Sequence, residues 1–310
     1  MNVLTWLKQG DPVIARLVNK YLLDQDVKYI DDGYIQKYIH LYDSESKRWG
    51  HGIYSPKWIS THYTLLELKY MEIDPMHNVY HEAVKNLVDH LWIDEKPKKG
   101  QRQQDMCIVG MLIQLVTYAN IHEQRNPRMM DYILDHQFDD GGWNCQWDSG
   151  RNPKISSVHT TISVLEGLHE FVKNNYTYRL EDVKKAIQQG IECLLSRDVI
   201  LNKKSKQPLH PSMVKYHYPP RWKYDYLRVL ELLADMKYPY DQRLNQVMTI
   251  LLNNIKDGRL KRGTQIPGLI HFQLEMTTYG RFNTLRALKV LKHYRPDVYQ
   301  TCIHNELKGE

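Results

Sequence analysis

Apolar residues recur along this chain at steps of three and four. Val79, Val84, Leu87, Val88 and Leu91 form one stripe, and Val158, Ile162, Leu165, Leu168 and Val172 a second. A third runs through Val183, Ile187, Ile191 and Leu194, and a fourth through Leu244, Val247, Met248, Leu251, Leu252 and Ile255. Such steps follow the 3.6-residue period of a helix that buries one face. Period-two alternation bounded by hairpin turns is scarce, so the pattern predicts an all-α protein.

A repeated phrase punctuates the helices: an aromatic–glycine turn, a polar loop, then a helix opening on polar residues. One copy is Trp49-Gly50-His51-Gly52 followed by Trp58 to Leu68; the next is Asp140-Gly141-Gly142-Trp143-Asn144-Cys145 followed by Ser156 to Leu168. Weaker copies run from Pro220-Arg221-Trp222 into Leu227 and from Asp257-Gly258-Arg259 to Leu288. A recurrence of roughly 50 residues predicts stacked helix pairs. An open stack would need caps at both ends, whereas a ring would not. Ser156 and Ser157 are candidate N-caps for the helix at Val158. If the inner helices all start at one end of a ring, their polar first turns converge on one mouth.

The chain has 310 residues, which suits one large domain spanning 1–310. Residues 1–45 would cap the repeats or complete them. No apolar run reaches the roughly 18–20 residues that cross a bilayer. The N-terminus lacks the features of a secretion signal, so the four cysteines read as thiols in a cytoplasmic protein. The net charge of +6 is mild and dispersed apart from Lys96–Arg102 and Lys203–Lys206, which argues against nucleic-acid binding. The aromatic usage adds more: 22 Tyr and 7 Trp against 4 Phe. Rings with polar tips suit the wall of a wet cavity as well as a dry core.

Three ligand-capable residues fall at predicted helix starts: Asp105, Cys107 and, 52 positions later, His159. Carboxylate, thiolate and imidazole would hold one zinc ion and leave a position open for water or a substrate thiol. Cys145, in the loop ahead of His159, is a substitute ligand. The alternative is a capping Asp105, a core Cys107 and an internally bonded His159. His62 occupies the equivalent helix start in the first copy and, with Tyr224 and Asp225, is a candidate for acid–base work. Trp58, Trp143 and Trp222 would wall a cavity or pack between helices; for Trp143, packing is expected. Arg221, Arg228, Arg281 and Arg286, with Tyr224 and Asn283, would hold a diphosphate or another anion. The competing expectation is that they pair with Asp225, Glu231 or Glu275. The segment from His210 to Pro220 is rigid and aromatic enough to fold over one mouth.

The stretch Asp139 to Gln146 resembles the glycine–aromatic repeat of the terpene cyclase and protein prenyltransferase superfamily, and the other copies extend the likeness over most of residues 45–295. That resemblance implies an α/α toroid, with inner and outer rings of helices around a central cavity. The nearer likeness is to the β subunit of protein prenyltransferases. There a D-x-C pair and a later helix-starting histidine hold the catalytic zinc, matching Asp105, Cys107 and His159. The D-x-D-D acid of the cyclases is absent, and so is the separate α subunit of the prenyltransferases. The DGGWNC…HTTISVLEGL segment is similar to that of bacterial proteins of unassigned activity. The resulting expectation is a zinc-dependent enzyme that transfers to, or hydrolyses, a small anionic or isoprenoid substrate. The alternatives are a metal-free terpenoid- or carbohydrate-active enzyme and a non-catalytic binding module.

Overall fold

The computed structural model describes residues 1–94, 103–148 and 153–307. The basic stretch at Lys96–Arg102 lies outside them. The described chain is helical, with thirteen α-helices and no β-strand beyond isolated bridges. In chain order these are α1 (Val3–Lys8), α2 (Pro12–Tyr21), α3 (Gly33–Ile39), α4 (Thr61–Tyr70), α5 (Asn78–Leu91), α6 (Met106–Tyr118) and α7 (Arg125–Asp135). Then follow α8 (Val158–Lys173), α9 (Leu180–Leu195), α10 (Tyr226–Asp235), α11 (Asn245–Asn254), α12 (Arg281–Tyr294) and α13 (Pro296–His304). The four stripes read from sequence fall on α5, α8, α9 and α11.

The helices divide by surroundings. Helices α5 and α9 bury one stripe and expose the opposite face, as a surface helix does. Along α4, α6, α8 and α12, long consecutive runs are buried, including Thr61–Leu68 and Ile108–Thr117. A helix buried on all sides must have neighbours on all sides. Accordingly, α4 packs on α5 and α6, α6 on α7 and α8, and α8 on α9, while α12 packs on α10, α13 and α2.

The tightest crossing is α6 on α8. A Cβ on Gly110 would lie 2.7 Å from the Val164 Cα, and one on Gly167 would lie 2.2 Å from the Gly110 carbonyl oxygen. Only glycine lets the two backbones approach this closely.

The repeated phrase has a repeated structure. The Trp143 backbone N–H donates to the Thr161 hydroxyl (3.1 Å) and its indole N–H to the Ile133 carbonyl (2.8 Å). Trp49 does the same, to the Thr61 hydroxyl (3.0 Å) and the Tyr38 carbonyl (2.7 Å). In the fourth copy Leu260 takes the tryptophan's place and donates to the Thr284 hydroxyl (3.0 Å). Each loop is thereby tied to the first turn of α8, α4 or α12. Both tryptophans are fully buried, so Trp143 is the packing residue its sequence context suggests. Ser157 is the residue preceding α8, but its side chain makes no cap bond; Ser156 instead anchors to Asp140 through its N–H and hydroxyl, each at 3.0 Å.

Candidate functional site

Two places gather chemistry. The first lies at the starts of α4, α6 and α8. The Tyr63 hydroxyl donates to that of Tyr54 (3.1 Å), and both rings pack on His62, at 4.9 and 5.2 Å between centroids. His62 is fully buried and neither ring nitrogen has a hydrogen-bond partner among the described residues. Burial, and secondarily Lys57, lowers its pKa to about 3. A base that weak transfers few protons near neutral pH.

Cys107 and Cys145 meet beside this aromatic cluster. The Cys107 backbone N–H donates to the Cys145 sulfur (3.3 Å), and so does the Thr160 hydroxyl (3.3 Å). The neighbouring Cys107 side chain first, and the Thr160 hydroxyl and Cys107 N–H with it, lower the Cys145 pKa against the opposing effect of burial. Asp105 precedes α6 without capping it through its side chain.

His159 is differently engaged: its Nδ1 accepts the Tyr224 backbone N–H (3.0 Å), beside the Trp222 ring at 5.4 Å. That bond leaves the proton of the neutral ring on Nε2. Nδ1, the nitrogen left bare, is thus already engaged, and binding a metal through either nitrogen would require that bond to rearrange. Among the described residues no group of three or more His, Cys, Asp or Glu side chains is placed to hold a metal. The structure sets Cys107 against Cys145 and engages His159 with Tyr224.

The arginines are committed to carboxylates and carbonyls. Arg221 pairs with Glu67 (3.1 Å) and lies over the Trp58 ring at 4.7 Å, while Trp58 itself donates to the Pro267 carbonyl (2.8 Å). Arg228 grips both oxygens of Glu166 at 2.7 Å, Arg286 pairs with Glu231 (2.6 Å), and Arg281 donates to the Trp6 carbonyl. Asn283 receives an Arg286 N–H (3.0 Å) and donates to the Arg262 carbonyl (3.0 Å). Salt bridging is the competing expectation, and of the partners named from sequence Glu231 is seen to pair with Arg286. Asp225 caps α10 by accepting the Arg228 N–H (2.9 Å) and faces His217 (3.1 Å); the Tyr224 hydroxyl donates to the Val199 carbonyl.

The second place is a cavity of about 130 Å³, lined from all six even-numbered helices, α2 to α12. One water needs only about 10–15 Å³ measured this way, so the cavity has room for a small molecule. Its walls carry five bases (Lys69, Lys173, Arg228, Arg286, Lys289) and five acids (Glu72, Glu166, Glu170, Glu231, Asp235). Most are paired: Lys69 with Glu170 at 2.6 Å, and Lys289 with Glu231 (3.2 Å) and Asp235 (3.1 Å). Tyr21, Tyr70, Tyr118, Tyr218 and Phe282 supply ring surface, and Tyr218 stacks on Phe282 at 4.2 Å. The 210–220 segment thus enters the wall through Tyr218 and Pro220. Lys173 and Asp235 are exposed, which places solvent access near the ends of α8 and α10.

Three buried polar atoms on this cavity's lining residues lack partners among the described residues: Gln114 Oε1, the Tyr70 hydroxyl and Arg286 Nη2. Native interiors leave few such atoms unpaired. Burial lowers the pKa of His169, also on the wall, so its ring is neutral near pH 7. Tyr70, Gln114 and His169 stood in no sequence motif. Their helical register was the available signal, since each lies one to three turns beyond a polar helix start. No protein-family model matches this chain, and no curated protein matches it.

Proposed function

We propose that this chain is an α/α toroid whose central cavity binds a small, neutral, hydroxylated molecule of the sugar or polyol class and acts on it by proton transfer at His169. The observation that carries the reading is the trio of unpaired atoms, Gln114 Oε1, Tyr70 hydroxyl and Arg286 Nη2, on one small cavity. A hydroxyl donates and accepts at once, so a few hydroxyls would satisfy an acceptor, a dual group and a donor together. The matched acids and bases favour a neutral ligand, because a charged one would have to break an existing pair. The tyrosine and phenylalanine rings suit the C–H face of a sugar ring. An isoprenoid chain would desolvate the ion pairs without replacing any hydrogen bond. The toroid is supported by the alternation of the helices, even-numbered ones lining the cavity and odd-numbered ones packed behind them.

Calorimetric titration of the full chain with monosaccharides, polyols, inorganic phosphate and a prenyl diphosphate tests this. A neutral hydroxylated compound is expected to bind. Tyr70→Phe and Gln114→Leu should each weaken it about tenfold, the worth of one hydrogen bond. Neither should lower Tm, since each removes an unpaired buried group. Binding by the diphosphate alone, or full affinity in both variants, would overturn the reading. His169→Gln should keep binding and abolish turnover; ligand recovered unchanged from the wild type would instead leave a binding module.

A further inference from the structure

The Cys107–Cys145 pair lies at the far end of α6 and α8 from the cavity's Gln114 and Glu170, and the proposed function does not use it. Its geometry is specific. Cys145 stands in the loop before α8, with its sulfur over the first turn of α6, where backbone N–H groups have no helical partner. It takes the Cys107 N–H and the Thr160 hydroxyl, both at 3.3 Å, while the Cys145 N–H returns to the Thr160 oxygen at 3.4 Å. Both cysteines are half-buried, whereas Cys193 and Cys302 are buried. One sulfur is therefore met by two donors that favour its anion, and the residue that supplies the backbone donor carries a second thiol. Donors of this kind at a helix start are what distinguish reactive cysteines from inert core ones.

We propose that Cys107 and Cys145 form a peroxide-oxidisable dithiol site that closes to a reversible disulfide. The Cys145 thiolate attacks one oxygen of hydrogen peroxide. An S–O bond forms, the O–O bond breaks, and the departing hydroxide takes a proton to leave as water. The Cys107 sulfur then attacks the Cys145 sulfenic acid. The S–S bond forms, the S–O bond breaks, and a second water carries off the Cys107 thiol proton. Two thiols and one peroxide yield one disulfide and two waters, with two electrons passing from sulfur to oxygen. The 3.3 Å contact of the Cys107 N–H with the Cys145 sulfur puts the two side chains together, and closure brings the sulfurs to the covalent distance of about 2.05 Å. The loop carrying Cys145 would then be tied covalently to the first turn of α6.

The test is limited oxidation of the reduced full chain with one equivalent of hydrogen peroxide, followed by intact mass and peptide mapping. The expected product is lighter by about 2 Da, contains a Cys107–Cys145 cross-link, and returns to the starting mass with a dithiol reductant. Cys145 should lose alkylation at least about tenfold faster than Cys193 or Cys302, which serve as internal controls. In Cys107→Ser the sulfenic acid on Cys145 should persist and be trapped by a 1,3-diketone. Oxidation spread evenly over the four cysteines, a cross-link between chains, or Cys145 still alkylated after peroxide is consumed would each overturn the proposal. The mapping uses wild-type protein, so it decides the matter even if the variant fails to fold. It is also independent of any ligand in the cavity.

Discussion

The loop-tying helix starts and the cavity use polar residues in opposite ways. At the starts of α4, α8 and α12, threonines tie loops down and the tryptophans of the first two copies fill the space behind, so that most polar atoms there are spent on protein. In the cavity, paired charges surround three atoms that have nothing to bind. The repeated loops therefore mostly hold the fold, His62 with its two unpaired nitrogens excepted, while the cavity gathers three unpaired atoms around one space. A conspicuous sequence pattern marks where backbone geometry is demanding, and that need not be where a ligand sits.

Mutations should separate the two regions by their stability cost. Trp143→Ala removes a fully buried indole and its bond to Ile133. It should cost about 3–5 kcal/mol, read as the largest fall in denaturation midpoint. If the loss is no greater than for a cavity variant, the comparison fails.

Gly167→Ala comes next. Its Cβ would meet the Gly110 carbonyl at 2.2 Å. Forcing α6 and α8 apart should cost about 1–3 kcal/mol. An unchanged melting temperature would mean that the crossing is looser than described.

Acid should act through the cavity. Burial alone would raise the Glu170 pKa, but Lys69 and Lys173 outweigh it and hold the carboxyl at about 2, against 4.5 ordinarily. Glu231 is likewise held at about 2, by Arg286 and Lys289 against burial. A depressed folded pKa contributes stability above pH 4.5 that is lost as pH falls towards 2. Thermal melts across that window should decline, and the decline should be shallower in Glu170→Gln. A flat wild-type profile would contradict the pairing.

The smallest stability effect belongs to Tyr70→Phe, whose midpoint should stay put or rise slightly while binding weakens. A fall of the size expected for Trp143→Ala would place Tyr70 among the residues that hold the fold.

Several of these contrasts were legible in the sequence. The stripes at Val79–Leu91 and Val183–Leu194 gave α5 and α9, because an amphipathic helix writes its buried face into its period. The tryptophan–glycine phrases at Trp49 and Trp143 gave the repeat, and both copies make the same two hydrogen bonds. The site was less legible. Arg221 and Arg228 find Glu67 and Glu166, 154 and 62 positions away, and the sequence held many carboxylates equally able to serve. His159 was placed correctly at a helix start, but its tautomer depends on the Tyr224 N–H, a contact 65 positions distant.

By itself, then, the sequence determined what depends on neighbours along the chain: helical period and the repeated loop that ties each turn to its helix. Tertiary structure alone decided which helix faces would share a cavity, which charges would cancel there, and which three polar atoms would be left over. The physical reason is that hydrogen bonds and ion pairs are satisfied by whatever lies within about 3 Å. For Tyr70, Gln114 and Arg286 that surrounding set is chosen only when α4, α6 and α12 come together.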